Sequence, residues 1–331
     1  PSRARRAGRY DDGMKRKIDL ALGVAALLTA ALLTAVASGD VPLGIPDEWV
    51  WPRLIGEPVA VDLLIAATGV AAYGAFAAVG FRSLGEPEPR RRREAVWLVG
   101  LMLGAAALQA VVPIGAPGKY GLARWGVIHA DRNSTGYYYV VKTEVRPDVG
   151  RFLAEYPRWV LEQGPGHQGV HPPGLIATYS GLLALTERHP AAADLLNAVM
   201  PPSTITGFRD WEITYREPIP AADRAALYLT TLLTLLACSG TVAPLYLLAR
   251  ESLPAQSAWA SAALWPLAPA ANLFQPLSDA AYPLLSTTAL AAAAWSARLR
   301  TPERSSRSPW AALAVGSGAV MGFGMMFTLA L

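Results

Sequence analysis

The apolar positions of this chain fall in long unbroken runs, not in the two-residue alternation of a strand or the three-to-four spacing of a surface helix. The runs cover about 18–38, 60–80, 95–115, 225–249, 256–273, 280–297 and 310–331. A hydrocarbon core of about 30 Å takes roughly 20 residues of helix. Inside lipid every backbone N–H and C=O must be paired within the segment, which a helix achieves. The pattern predicts an all-α polytopic membrane protein with about seven crossings. A further apolar stretch, Gly174 to Thr186, has only about 13 residues and is too short for a crossing. It reads as a juxtamembrane helix lying in the interface, with a re-entrant or tilted segment as the competing reading.

Charge sets the expected sidedness, because short basic connections stay on the cytoplasmic side. Arg3, Arg5, Arg6, Lys15, Arg16 and Lys17 precede the first run; Arg82 and Arg90 to Arg93 separate the second and third. Arg298, Arg300, Arg304 and Arg307 precede the last. Counting forward from the first cluster and back from the last both put 116–224 on the non-cytoplasmic side. The predicted organisation is a cytoplasmic tail (1–17), an N-terminal two-span addition (18–94) and a main transmembrane module (95–331) whose outer loop is 116–224. The apolar run that includes Met325-Met326-Phe327 reaches the last residue, so the chain is expected to be part of a longer protein. The first run is too long, and followed by too many others, for a cleaved signal peptide.

Composition agrees with the pattern. Of 331 residues, 53% are hydrophobic and 16% charged, below the roughly 25% charged of soluble chains. The net charge of +4 comes from the clusters beside the runs, so no nucleic-acid partner is expected. The single Cys238 excludes a disulfide framework and a thiol metal site. All four histidines (His129, His167, His171 and His189) fall in the outer loop, among Tyr120, Tyr137, Tyr138, Tyr139, Tyr156, Trp159, Trp211 and Tyr215. Aromatic residues beside a bilayer serve as interfacial anchors. Interleaved with titratable groups, they also suit a cleft that handles sugars.

Three constellations could carry chemistry. In Ala130-Asp131-Arg132-Asn133-Ser134-Thr135-Gly136-Tyr137-Tyr138, the Asp131 carboxylate is a candidate general base near the membrane surface, or a cap for the helix that follows. In Gly166-His167-Gln168-Gly169-Val170-His171-Pro172-Pro173-Gly174, the two prolines fix a helix start and leave His171 on a rigid corner. Two histidines without a third ligand make no metal site. In Gln275-Pro276-Leu277-Ser278-Asp279-Ala280-Ala281-Tyr282-Pro283, Asp279 sits on the lip of a crossing, where a carboxylate faces the bundle interior or caps a helix.

In their order and sidedness these pieces resemble membrane glycosyltransferases of the GT-C fold that use lipid-linked sugar donors, such as the protein mannosyltransferase and aminoarabinose transferase families. In those families an acidic residue follows a span in the first large outer loop, a His-Pro-Pro or Lys-Pro element opens a juxtamembrane helix, and a second acid lies in the next outer loop. Asp131, His171-Pro172-Pro173-Gly174 and Asp279 match that sequence of features over about 95–331. Where the family often has Asp-Glu, this chain has Asp131-Arg132; Asp47-Glu48, in the earlier outer connection, is the alternative acid pair.

The resemblance implies inverting transfer of a hexose or pentose from a polyprenyl-phosphate donor to an unidentified acceptor hydroxyl, outside the cell (inner) membrane. It implies Asp131, Asp279 and His171 as catalytic residues, and Arg132, Tyr137, Tyr138, His167 and Lys142 as substrate-binding ones. Members of the fold differ on a divalent metal, which leaves the cofactor open. The rival classes are a transporter or flippase and a non-catalytic scaffold whose loop binds a partner. A carrier needs ionisable or broken-helix features near mid-bilayer, and the runs offer Gln109 with Gly, Ser and Thr but no mid-span charge.

Overall fold

The computed structural model describes residues 3–38, 41–45, 47–50, 59–86, 89–132, 134–146, 148–164, 167–299 and 309–328. The chain divides into two units, Pro1–Gly56 and Glu57–Leu331. The first holds α1 (Arg3–Ser38) and a short antiparallel ribbon of β1 (Gly44–Ile45) and β2 (Trp49–Val50). Leu27, Leu28, Leu32 and Leu33 of α1 are all exposed, a surface suited to lipid or to a partner. Asp47 and Glu48 occupy the turn of the ribbon, both exposed, with Asp47 in the left-handed region at φ 68°.

The second unit is helical. Two long helices, α2 (Ala60–Ser83) and α3 (Arg91–Val111), precede the 116–224 segment. That segment carries α4 (Val127–Ala130), α5 (Tyr137–Val140) running into a π turn (Val141–Val145), α6 (Val149–Glu162) and α7 (His167–Val170). After these come α8 (Gly174–Arg188), α9 (Pro190–Ala198) and α10 (Pro202–Tyr215). The chain then forms α11 (Ala221–Gly240), α12 (Val242–Ala249), α13 (Ala255–Leu264), α14 (Pro269–Leu273), α15 (Tyr282–Leu299) and α16 (Pro309–Gly324).

Three stretches are long and apolar enough to cross a membrane: Ala60–Ser83, Arg91–Gly115 and Ala221–Ala249. Of the remaining predicted crossings, 256–273 is not one helix. Pro266 and Pro269 each lack an N–H and clash with the preceding turn, so α13 gives way to a 3-10 turn at Trp265–Leu267 before α14. The Asn272 side chain donates to the carbonyls of Pro266 (2.8 Å) and Ala268 (3.2 Å) at this break.

The division at Gly56 also places α2 with the main bundle, not with an N-terminal addition ending at 94. Tyr73 Oη donates to the Ala263 carbonyl and Trp259 Nε1 to the Ala77 carbonyl, both at 2.8 Å. Gly80 lies where any side chain would enter the Trp259 ring, the close helix approach that small residues permit.

Contacts at the helix ends show that the long elements alternate in direction. At one end Gly115 lies against Ala66, Tyr138 reaches Asp223 at the head of α11, and the Gly174 N–H donates to the Met326 carbonyl (2.8 Å). At the other, Trp97 Nε1 donates to Ser83 Oγ (2.8 Å), Tyr246 Oη to Glu94 (2.6 Å) and Arg298 to Glu251 (3.4 Å). Of the predicted basic clusters, the arginines described in this unit (Arg82, Arg90 to Arg93 and Arg298) thus gather at one end, and the three candidate motifs lie at the opposite end.

The continuous helical stack Ala221–Ala249 has 29 residues, about 43 Å at 1.5 Å per residue. That exceeds a hydrocarbon core of about 30 Å by roughly 13 Å. The surplus is the part that carries the loop: Asp223 meets Tyr138, and Thr231 Oγ1 accepts from the Gly126 N–H (2.9 Å). The 116–224 segment is packed, not draped. Val140, Val141, Val145, Ile176, Leu183, Phe208 and Leu227 are buried in one apolar cluster. In α8 the buried positions Leu175, Ile176, Tyr179, Leu183 and Thr186 form one helical face, which packs on α11 and α5. It is therefore a core helix of the loop, not a helix laid flat with its apolar face toward lipid.

Candidate functional site

Two glycines and two prolines shape the site. Gly136 holds φ at 69° and caps α5, so Asp131 is not the cap of that helix. The Asp131 carbonyl instead closes the turn, accepting the N–H groups of Ser134 (3.2 Å) and Thr135 (3.3 Å). A Cβ at Gly136 would run into the Gln168 side chain, so the Asp131 turn and the His167–Val170 helix are in contact. Pro172 and Pro173 end that segment, and α8 starts at Gly174 as the sequence predicted. Gly174 has no room for a side chain against the Met326 carbonyl, which ties the His-Pro-Pro corner to the end of α16.

A group of tyrosines links the three motifs. Tyr156 Oη donates to the His171 carbonyl at 2.6 Å. Tyr137, buried, stacks on Tyr179 at 6.2 Å between ring centres and 27° between planes. Burial first, then Tyr282, Asp279 and Tyr156 close by, push the Tyr137 phenol above the usual tyrosine range. Asp279 itself is exposed, in the 3-10 turn Ser278–Ala280 one turn before α15. Asp279 therefore neighbours Tyr137, which follows directly on the Asp131 turn, and the His171 carbonyl is held by Tyr156, which also neighbours Tyr137.

Tyr179 is buried and shares a 2.8 Å hydrogen bond with His129 Nδ1. Burial, with Arg124 adding to it, holds the His129 pKa down to about 3. That imidazole is neutral at ordinary pH and braces Tyr179 from inside; it is no exposed acid or base. Phenols held protonated by burial are hydrogen-bond donors over the whole physiological range.

The other predicted substrate residues are placed differently. Tyr138 Oη donates to Asp223 Oδ2 (2.7 Å), and Lys142 Nζ lies 2.8 Å from the same oxygen. Asp223 is 2% exposed, so both side chains are committed to holding the π turn on the head of α11. Arg132 is on the exposed rim. Its guanidinium stacks 3.6 Å above the Tyr139 ring and pairs with Glu217 at 3.3 Å. His167 begins α7, and its side chain lies outside the described residues, as does Asn133. Among the described residues, no three His, Cys, Asp or Glu side chains gather as a metal site would require.

Tyr179, Tyr282 and Asp223 were not singled out from sequence. Tyr179 and Tyr282 look like ordinary aromatic positions in apolar helices. Asp223 looks like an acidic residue favoured in any first helical turn. Comparison with protein-family models, with curated proteins and with solved structures gives no match.

Proposed function

We propose that this chain is a membrane glycosyltransferase of the lipid-linked-donor type, working at the end of the bundle that carries the 116–224 segment. The observation that supports it is the meeting of the Asp131 turn, the His171 corner and Asp279 around one set of tyrosines. In this reading the charge rule puts that end on the non-cytoplasmic side, and the bundle crosses the membrane several times.

The reaction needs a base for the acceptor proton and donors for the departing phosphate. Asp131, exposed enough to meet an acceptor, takes the proton as the acceptor oxygen attacks the anomeric carbon. The bond from that carbon to the phosphate oxygen breaks as the new one forms, so the sugar inverts. His171 and the protonated phenol of Tyr137 face the phosphate side, where fixed donors stabilise the growing negative charge. Asp279, at the mouth of the cluster, orients the sugar hydroxyls. Arg132 stands at the rim with its charge shared by Glu217. The bundle interior offers little for a carrier: Gln275 donates to Gln109 (2.7 Å) and Gln109 to Ser239 (3.1 Å), a neutral, largely self-satisfied set.

The test is transfer of labelled sugar from polyprenyl-phosphate hexoses and pentoses in proteoliposomes. Asp131→Asn and Asp279→Asn should each lower turnover by about a hundredfold or more, while Arg151→Gln, on an exposed pair with Glu155, should not. Transfer by both acid variants at the wild-type rate would remove the proposal.

A further inference from the structure

A second site lies at the opposite end of the bundle, where a cavity of about 740 Å³ opens between α3, α12 and α15. Helices α3 and α15 both pack on α12, and the cavity is the wedge between them. Each wall supplies an arginine near its end and an apolar residue one or two turns deeper. These pairs are Arg91 and Leu98 on α3, Arg250 and Leu247 at the end of α12 (Arg250 directly follows its last residue), and Arg298 and Trp295 on α15. Such a wedge is polar at its mouth and apolar toward the bundle, the polarity of an amphiphile.

The charges are arranged for one anion. Glu94 is already held by Tyr246 Oη (2.6 Å) and Arg250 Nε (3.4 Å), and Glu251 by Arg298 (3.4 Å). Arg91 lines the same cavity with no ion-pair partner among the described residues. Three arginines against two glutamates leave one positive charge, which matches one phosphodiester. The volume falls within the roughly 300–1,000 Å³ of small-molecule sites. Basic pockets between membrane helices are suited to phospholipid head groups.

We propose that this wedge binds an anionic phospholipid of the adjacent leaflet, with the phosphate at Arg91, Arg250 and Arg298 and an acyl chain along Leu98, Leu247 and Trp295. The site is separate from the tyrosine cluster and does not depend on the transferase reading.

Trp295 provides the readout. The full chain in detergent is titrated with phosphatidylglycerol or phosphatidylcholine carrying brominated acyl chains, and the Trp295 signal is taken as the difference from Trp295→Phe. The site predicts quenching at several-fold lower mole fraction of phosphatidylglycerol than of phosphatidylcholine. Arg91→Gln should raise the required fraction about fivefold, from about 1 kcal/mol per arginine, and Arg298→Gln should do the same. Arg92→Gln removes an equal charge from an exposed neighbour outside the cavity and should have little effect. Equal quenching by the two lipids, or equal losses in Arg91→Gln and Arg92→Gln, would overturn the proposal. Competition by millimolar inorganic phosphate would also overturn it, because the wedge would then take a free anion and not a lipid.

Discussion

Replacing Lys142 by methionine separates a structural role from a substrate-handling one. Asp223 is 2% exposed, and its Oδ2 is shared by Lys142 Nζ at 2.8 Å and Tyr138 Oη at 2.7 Å. At 2.8 Å and an effective dielectric of about 20, the ion pair is worth about 6 kcal/mol of gross attraction. The lysine is one-third exposed, so water screens it and returns part of its hydration when it is released. Roughly half the gross figure remains, about 3 kcal/mol, the lower edge of what breaking a buried pair costs. Lys142→Met leaves a buried carboxylate with only the Tyr138 hydroxyl and should lower stability by about that amount. The double variant Lys142→Met, Asp223→Asn keeps an acceptor for Tyr138 without a buried charge, and should recover at least half of the loss, a coupling of about 1.5–2 kcal/mol. The assay is unfolding by SDS in mixed micelles, followed by tryptophan fluorescence. Single and double variants all within about 0.5 kcal/mol of wild type would refute the assignment of Lys142 and Tyr138 to the scaffold.

Three further outcomes follow from the geometry. His129 is neutral in the folded chain down to a pKa of about 3, whereas an unfolded imidazole binds its proton below about 6.5. Its contribution is therefore fully present above pH 6.5 and lost on descending toward pH 3, by at most about 1.4 kcal/mol per pH unit; micellar unfolding at stepped pH should show this slope, and His129→Gln should flatten it. Gly174→Ala sets a methyl group against the Met326 carbonyl, so it should part α8 from α16, destabilise the chain by about 1–3 kcal/mol and abolish transfer, read by the same unfolding and turnover assays. Gln109→Leu removes the closer acceptor of the Gln275 amide, leaving it the Thr234 carbonyl at 3.5 Å, and should cost about 1–2 kcal/mol, while adding Gln275→Leu should restore much of that in the micellar assay.

The parts of the fold that were legible in sequence are those governed by local rules. The apolar lengths of α2, α3 and the α11–α12 stack exceed what a soluble core needs, and Pro172-Pro173 mark a helix start, with α8 beginning at Gly174 directly after them. Proline also accounts for what was misread: Pro266 and Pro269 divide an apolar run whose hydropathy alone suggested one crossing. The buried face of α8 is set by what packs on it, and nothing in a 13-residue apolar stretch distinguishes lipid from α11 as its neighbour. At the site, the order of Asp131, His171 and Asp279 could be read because turns and caps are local. The partner of Lys142 could not, because Asp223 is 81 positions away and reaches it only through the tertiary fold. Asp47 and Glu48 look as suitable as Asp131 by residue type, yet they fill an exposed turn of the ribbon in the first unit.

Photolabelling tests the central claim most directly. A photoreactive polyprenyl phosphate, activated in proteoliposomes containing the full chain, marks whatever peptide holds its head group, and digestion with mass spectrometry locates the marks. The account predicts labels within 131–145, 167–176 and 275–283, reduced by excess unlabelled polyprenyl-phosphate sugar. Labels that avoid all three segments, or that competitor leaves unchanged, would contradict a lipid-phosphate site at the tyrosine cluster.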